Sequence, residues 1–183
     1  MKEIHLQILN ELQQVAEGLD DEQIKPFIEE LRKADRIFVS GEGRSGLMGK
    51  AFAMRLMHAG YTVFVTGETI TPSIKEGDVL VSISGSGNTK SVKMVAEQAK
   101  STGALVLLVS TNQDSEIGRF ADRNIIIKAA TKHDHSRAFS TIQPMGNQFD
   151  QSVHLLLDAI VIALTKETEN LNEVMKQQHA NLE

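Results

Sequence analysis

The sequence predicts an α/β protein, an αβα sandwich in which a five-stranded parallel sheet carries helices on both faces. Three observations lead to this fold class. Five short apolar runs are rich in β-branched residues, helical segments separate several of them, and glycine-rich turns follow two of them. Short buried strands that alternate with helices are typical of a parallel sheet covered on both sides. The length of 183 residues suits one domain.

Residues 1–34 are predicted to form two N-terminal helices. Five apolar side chains lie at helical spacing in the first helix: Ile4, Ile8, Leu12, Val15 and Leu19. Residues 20–22 offer acidic caps for a second helix that ends near Ala34. A single sheet layer would not fully cover the apolar stripe of the first helix, and uncovered apolar patches usually mark interfaces. We therefore expect a homo-oligomer.

Residues 36–128 are predicted to form the parallel α/β core. The expected strands cover residues 36–40, 61–65, 79–83, 104–109 and 124–127, and the expected helices cover residues 45–59, 89–102 and 115–121. The strands are short apolar runs, and the helices have mixed apolar and polar faces. The sequence shows no internal repeat and no linker, so we expect residues 1–183 to form a single domain.

Residues 129–146 have no clear periodicity and are predicted to form a lid loop. A loop of this length in a compact domain is usually functional. It follows the fifth strand, and parallel sheets bind ligands outside the carboxyl ends of their strands. Residues 147–183 are predicted to form a long helix, over about 147–165, and a polar tail.

Composition excludes several classes of function. The formal net charge is −5 and aromatic residues make up 4% of the chain, so a nucleic-acid-binding surface is not expected. No window approaches the roughly 20 apolar residues of a membrane-spanning helix. The N-terminus lacks the pattern of a secretory signal, and the absence of cysteine excludes disulfides and thiolate zinc sites. These features favour a cytoplasmic protein.

The first glycine loop, residues 41–46, matches a dinucleotide-binding fingerprint when it is taken literally. Glu68, after the second strand, could then bind a ribose. Turns of this kind are common in α/β proteins, however, and the chain has no room for a separate substrate domain. We therefore expect no nucleotide cofactor.

The second glycine loop predicts a phosphate site. It follows the third strand, opens the next helix, and consists of Ser84, Gly85, Ser86, Gly87, Asn88 and Thr89. Glycines allow the backbone amides to turn inward, the hydroxyl groups add donors, and a helix N-terminus adds unpaired amides and a positive dipole end. Hydroxyl residues also cap helices in general, but this loop has more of them than a cap needs. The expected ligand is a small phosphorylated molecule.

The histidines do not predict a metal centre. His133 and His135 flank an aspartate in the lid loop, but two ligands in a loop make a poor metal site. His58 is interpreted as a packed or surface residue. We expect neither a metal nor another cofactor.

Six segments of the chain resemble the sugar isomerase (SIS) domain family. They comprise residues 43–48, 51–56, Gly67-Glu68 with Thr71-Pro72, 84–89, 143–146 and 179–183. The similarity is greatest to the members that interconvert 3-hexulose 6-phosphate and fructose 6-phosphate in formaldehyde fixation by the ribulose monophosphate pathway. The resemblance implies the SIS-type αβα sandwich, a homotetramer and no cofactor.

The resemblance also implies roles for individual residues. Ser45 and the 84–89 loop would bind the substrate. The proton acceptor that follows the Gln-Pro-Met-Gly segment is usually a glutamate in this family, whereas this chain has Asp150, which is one methylene shorter. Asp150 could instead be an acid matched to the dipole of the last helix, and Glu68 is then the rival base.

Isomerisation through an enediol requires a base with a raised pKa and donors for the developing negative charge. Arg44 or a histidine could supply such donors, and His179 in the tail could complete the site of a neighbouring protomer. Two other readings stay open. The chain could be an isomerase for an aldose–ketose pair, or a sugar-phosphate sensor, although residues 1–35 lack the basic character of a DNA-binding segment.

Overall fold

The structure is a computed structural model that describes residues 1–132 and 141–182. Two N-terminal helices precede an α/β core and two C-terminal helices. The elements are α1 (Lys2–Glu17), α2 (Asp21–Lys33), β1 (Ile37–Gly41), α3 (Gly43–His58), β2 (Val63–Val65), β3 (Val79–Ile83), α4 (Lys90–Ser101), β4 (Leu105–Ser110), β5 (Arg123–Ile126), α5 (Asn147–Leu164) and α6 (Leu171–Gln177). Within the described residues, no helix has the length and apolar character needed to cross a membrane.

The five strands form one parallel sheet in the order β2-β1-β3-β4-β5. Ile37 of β1 pairs with Val63 on one side and with Val79 on the other. The strand order reverses direction at β1 and β3, which are neighbours in the sheet although β2 separates them in sequence. Such a switch point leaves a crevice at the carboxyl ends of the two strands, and this crevice is where parallel sheets bind ligands. The predicted fold class is confirmed.

Each face of the sheet is covered by its own apolar cluster. One cluster joins alternate strand residues to α1, α2, α3 and α5, with Phe27, Phe52 and Leu157 among its buried side chains. The other joins the remaining strand residues to α4 and to Ile117. Alternate strand residues point to opposite faces, so the continuous apolar strands supply both clusters. The α5 helix is central to the first cluster, and this packing fixes the N-terminal end of α5 near the crevice.

The predicted helix over residues 115–121 is wrong, because this stretch consists of consecutive turns. Phe120 N donates to Ile117 O, three residues back, instead of to the residue four back. The backbone amides of Glu116 and Ile117 donate to the Asn88 side chain and to Gly87 O. Hydrogen bonds to the 84–89 loop thus replace the backbone hydrogen bonds of a helix. The Ile117 side chain still packs against the sheet.

The remaining differences concern the ends of elements and the C-terminal tail. The third strand, β3, has the predicted limits, whereas the limits of the other strands differ by one or two residues and β2 is reduced to three residues. The last long helix ends as predicted, but the tail contains the short helix α6. In the predicted lid loop, residues 129–132 and 141–146 are described and contain no helix or strand.

Candidate active site

The cavity at the switch point is formed by both glycine loops and by the beginning of α5. Its volume is about 320 Å³, at the lower end of the range of roughly 300–1,000 Å³ typical of small-molecule sites. Its lining consists of Glu42, Gly43, Arg44, Ser45, Ile83, Ser84, Gly85, Ser86, Thr89, Thr131, Lys132, Met145, Gly146, Phe149 and Asp150. Polar groups predominate among the side chains from the loops, so the cavity suits a polar ligand.

The 84–89 loop is held in shape by bonds directed away from the cavity. Gly85 O accepts hydrogen bonds from Thr111 N at 3.0 Å and from Thr111 Oγ1 at 2.8 Å. The Asn88 side chain accepts one from Glu116 N at 2.8 Å. Gly87 has φ +66°, and a Cβ at this position would lie 2.1 Å from Ser115 Oγ. Positive φ and this close approach together require glycine.

The hydroxyl groups of the loop face the cavity. Ser84 Oγ and Thr89 Oγ1 are 2.9 Å apart and share one hydrogen bond. Thr89 is the N-cap residue of α4, yet its side chain makes no capping bond in the described structure. The interpretation of this loop as an ordinary helix cap therefore does not account for Thr89. Hydroxyl groups beside a helix N-terminus are an arrangement that can bind an anion.

The first glycine loop brings α3 close to β1. A Cβ at Gly46 would lie 2.6 Å from Gly41 O, so glycine permits this close contact. The loop projects Arg44 and Ser45 into the cavity from the first turn of α3. It also carries Glu42, whose Oε1 accepts a hydrogen bond from Ser91 Oγ at 2.8 Å. This bond ties the first loop to the first turn of α4.

Asp150 is the buried carboxylate of the cavity, with only 6% of its surface exposed. Ser45 Oγ donates to Oδ1 at 3.0 Å, and Arg44 Nε lies 3.2 Å from Oδ2. Burial raises the pKa of Asp150, and the hydrogen bond from Ser45 and the charge of Arg44 only partly offset this rise. A carboxylate with a raised pKa is better suited to accept a proton near neutral pH.

The residues before α5 form the wall next to Asp150. Met145 and Gly146 have φ of +58° and +85°, and Gly146 is the N-cap of α5. Asp150 N donates to Gly146 O at 3.2 Å. The Phe149 ring packs on the second glycine loop, since a Cβ at Gly85 would meet it at 3.3 Å. The start of α5 and the 84–89 loop are thus in direct contact.

The structure brings most of the predicted site residues together. Arg44, Ser45, Ser84, Gly85, Ser86, Thr89 and Asp150 line the cavity, whereas Gly87 and Asn88 shape the loop from behind. Glu68 lies outside the lining and is paired with Lys50 Nζ at 2.8 Å. His179 also lies outside it and stacks on the buried His58, with ring centroids 5.3 Å apart.

His133 and His135, the two histidines of the predicted lid loop, lie outside the described residues. In the described part of the chain, no three His, Asp or Glu side chains form a group suited to a metal ion. A cofactor-free site stays a prediction.

Sequence reasoning did not assign eight lining residues to the site individually: Glu42, Gly43, Ile83, Thr131, Lys132, Met145, Gly146 and Phe149. Glu42 lies in the first glycine loop and Phe149 directly precedes Asp150, so proximity to a motif was the available signal. Thr131 and Lys132 follow β5 and belong to the predicted lid loop, for which the sequence singles out no individual residue as a ligand contact. Their position at the cavity depends on how the loop folds back towards Gly146, where a Cβ would lie 3.2 Å from Lys132 N.

The chain is similar to known proteins over nearly its whole length. The SIS domain family model matches residues 30–155. The 3-hexulose-6-phosphate isomerase of Bacillus subtilis (strain 168) is 40% identical over 177 residues, covering 97% of this chain and 96% of that protein. The 3-hexulose-6-phosphate isomerase of Mycobacterium gastri is 41% identical over 176 residues, covering 96% and 88%.

A solved structure from Methanococcus jannaschii has the same fold. It is described as a hypothetical protein whose structure infers a molecular function of 3-hexulose-6-phosphate isomerase. It superposes with a TM-score of 0.85 at 31% identity, and the match covers 100% of both chains.

Proposed function

Because the chain belongs to the SIS domain family, we propose that it is an enzyme that interconverts 3-hexulose 6-phosphate and fructose 6-phosphate, a 6-phospho-3-hexuloisomerase. The named relatives from Bacillus subtilis and Mycobacterium gastri support this function, since they align with almost the whole chain. They do not favour the alternatives of a sensor or of an aldose–ketose isomerase. The function implies a place in the ribulose monophosphate pathway, and we propose that the enzyme acts in the cytoplasm.

The observation that carries the proposal is the position of Asp150 opposite a phosphate-type loop in one cavity. The 84–89 loop offers hydroxyls and the N-terminus of α4, and Asp150 offers a buried carboxylate whose pKa burial raises. An anchored phosphate leaves the carbon chain of the sugar to extend across the cavity towards the base. This combination is what an enediol isomerisation needs.

The proposed mechanism moves the carbonyl group by one carbon. With the phosphate held by Ser84, Ser86 and Thr89, Asp150 removes the proton from C2, which is adjacent to the C3 carbonyl. The electron pair forms a C2–C3 double bond, and O3 takes up the negative charge of the enediolate. Return of a proton to C3 and transfer of the proton from O2 to O3 give fructose 6-phosphate. No electrons are exchanged with any other molecule.

Arg44 and Ser45 act on this step through their contacts with Asp150. Ser45 donates to Oδ1, which leaves the carboxylate fixed in one orientation. Arg44 is bound at Oδ2, yet about half of its side chain is exposed. Its guanidinium can therefore also donate to the enediolate oxygens as their negative charge develops.

Catalytic roles for Glu68 and His179 have less support than the role of Asp150. Glu68 is paired with Lys50, which would have to release it before it could act as a base. His179 would reach a cavity only in an assembly that brings the tail of one protomer to the site of another. We propose a homotetramer, supported by the exposed apolar side chains Ile4, Leu6 and Leu9 on α1.

A coupled assay tests the proposed function. The purified protein is supplied with 3-hexulose 6-phosphate, and fructose 6-phosphate formation is followed by coupling it to NADP⁺ reduction. The same assay on a panel of phosphorylated aldoses and ketoses, with and without EDTA, measures specificity and metal independence. Turnover restricted to an aldose–ketose pair, or absent for every sugar, would contradict the proposal.

A further inference from the structure

A buried carboxylate outside the cavity holds one wall of the site. Glu11 lies in the middle of α1, and only 6% of its surface is exposed. Thr141 Oγ1 donates to its Oε2 at 2.6 Å, Gln143 Nε2 donates to the same oxygen at 3.0 Å, and Ile142 N donates to Oε1 at 3.0 Å. Three donors from three consecutive residues thus converge on one side chain of a different element.

This interaction depends on the negative charge of Glu11. Burial raises the pKa of Glu11, but the hydrogen bonds from Thr141, Ile142 and Gln143 outweigh it and leave the pKa below its usual range. Glu11 is therefore ionised at neutral pH. Hydrogen bonds to an ionised acceptor are roughly twice as strong as those between neutral groups, so the carboxylate restrains these residues more firmly than an amide would.

The residues held by Glu11 lead directly into the site. Residues 141–146 end at Gly146, the N-cap of α5, and Met145 and Gly146 line the cavity. Asn147 N donates to Pro144 O at 3.1 Å, and Asp150 N donates to Gly146 O at 3.2 Å. The path from Glu11 to Asp150 therefore runs through a few residues with fixed bonds. A displacement at Thr141 would be passed on to the first turn of α5.

We propose that Glu11 is a positioning residue for the isomerase site. It fixes residues 141–146 so that the Met145 wall and Asp150 lie at the correct distance from a sugar anchored at the 84–89 loop. Glu11 is not among the residues that line the cavity, and the hydrogen bonds that it accepts in the described structure come from this segment. The inference rests on the proposed function, because it assigns the effect to Asp150 acting on a bound sugar phosphate.

The chain offers a matched control for loss of stability alone. Asp78 is also a buried carboxylate with a lowered pKa. It accepts hydrogen bonds from Arg36 Nε at 2.8 Å and from Lys75 N at 2.8 Å. It directly precedes β3 and so lies at the amino ends of the strands, whereas the cavity lies at their carboxyl ends.

The experiment compares Glu11→Gln, Thr141→Val and Thr141→Ser with Asp78→Asn. Glutamine keeps the shape of Glu11 but presents an NH₂ group to one of the three donors. We expect Glu11→Gln to lower kcat by about 10- to 100-fold with a nearly unchanged KM, since a misplacement of about 1 Å can cost about 10²-fold. Thr141→Val should lower kcat in the same direction, and Thr141→Ser should preserve it. Asp78→Asn should lower the Tm and leave kcat unchanged.

Hydrogen–deuterium exchange supplies a readout that does not depend on turnover. Glu11→Gln should speed exchange in peptides covering residues 141–150 and leave residues 84–89 unchanged. A wild-type protein without isomerase activity would refute the proposed function, and exchange would still decide whether Glu11 orders the wall. Normal kcat in Glu11→Gln, unchanged exchange in residues 141–150, or an equal loss of kcat in Asp78→Asn would each overturn the positioning role.

Discussion

Asp150 is buried, and its two polar partners do not fully offset the effect of burial on its pKa. Ser45 and Arg44 contact its two oxygens, yet burial still raises its pKa. A group whose pKa is raised on folding stabilises the protein in its protonated form, and this contribution is lost as the pH rises through the folded-state pKa. The ionised Asp150 is therefore destabilising at neutral pH, as expected of a site retained for function rather than for folding.

Asp150→Asn tests the role of this residue. We expect kcat to fall by about 10²- to 10⁴-fold, the usual contribution of a positioned acid–base group, because an amide cannot accept the proton. Substrate binding should change little, and the Tm at neutral pH should stay level or rise. Asp150→Glu should keep or increase kcat, since it restores the length usual in the family. The measurements are steady-state kinetics and thermal melting.

The alternative role of Asp150 gives the opposite pattern. If the residue only interacts with the dipole of α5, Asp150→Asn would lose about 0.3–1 kcal/mol of stability and little activity. Normal kcat with a lower Tm would transfer the role of base to Glu68. Glu68→Gln is the matched variant, and we expect it to keep most of the activity.

The hydroxyl groups of the phosphate loop should act on substrate binding. Ser86→Ala and Thr89→Val each remove one donor from the cavity, and we expect both to raise KM while the fold is kept. Ser101→Ala is a suitable control, because Ser101 lies at the other end of α4 and bonds only to Gln98 O among the described residues. Unchanged KM in both loop variants would exclude this loop as the phosphate site.

At the residue scale, the sequence predicted those site residues that belong to a local pattern. Ser84, Ser86 and Thr89 belong to one short loop, and Asp150 follows the Gln-Pro-Met-Gly segment. Glu11 could not be found in this way, because it belongs to no motif. It has the spacing of the apolar stripe of α1, three residues after Ile8 and four before Val15, but glutamate is a residue type that is mostly exposed. Its burial depends on contacts with residues 141–143, which are about 130 positions away.

At the scale of elements, the sequence predicted the structure correctly where the local pattern determines it. The prediction failed where tertiary hydrogen bonds determine it. The strands β1, β3 and β4 are buried apolar runs, so their pattern was sufficient. Residues 115–121 are rich enough in helix-compatible residues to suggest a helix, but their amides are used to hold Gly87 and Asn88 in place. Tertiary hydrogen bonds of this kind override local propensity and leave no sequence period.

Gly87→Ala tests how closely this turn supports the phosphate loop. The new Cβ would lie 2.1 Å from Ser115 Oγ, and the backbone has φ +66°. We expect a lower Tm and a higher KM, because the loop must move. Gly60→Ala is the control, since Gly60 has φ +89° with nothing within 4 Å of an added Cβ. It should cost about 1–2 kcal/mol of backbone strain and leave KM unchanged. Equal kinetics in the two variants would contradict the proposed support.

At the scale of the whole molecule, the neighbouring helices α3 and α5 expose large apolar side chains. Leu155 and Ile162 are seven residues apart on α5 and are 55% and 67% exposed. Leu47 and Met54 have the same spacing on α3, which packs against α5. Residues seven apart lie on one side of a helix, so each pair forms an exposed apolar strip on its helix. These strips are the surfaces that an assembly would cover.

We expect the purified protein to be a tetramer, and Leu155→Glu combined with Ile162→Glu should reduce its mass in solution. Met94→Glu is the matched control, because Met94 is an equally exposed apolar residue, 69%, on α4 at the other side of the sheet. Light scattering distinguishes these outcomes. A wild-type monomer at working concentration, or an equal effect of both changes, would argue against this interface.

Deuterium uptake by fructose 6-phosphate in D₂O tests the central claim most directly. In the reverse direction of the proposed mechanism, Asp150 removes the proton from C3, and the resulting 2,3-enediol can take up solvent deuterium. We predict that the wild-type protein introduces deuterium at C3, as measured by NMR, and that Asp150→Asn does so at least about 10²-fold more slowly. Uptake at C1 would indicate an aldose–ketose isomerase instead. No uptake at C3 by the wild type, or undiminished uptake by Asp150→Asn, would contradict the account.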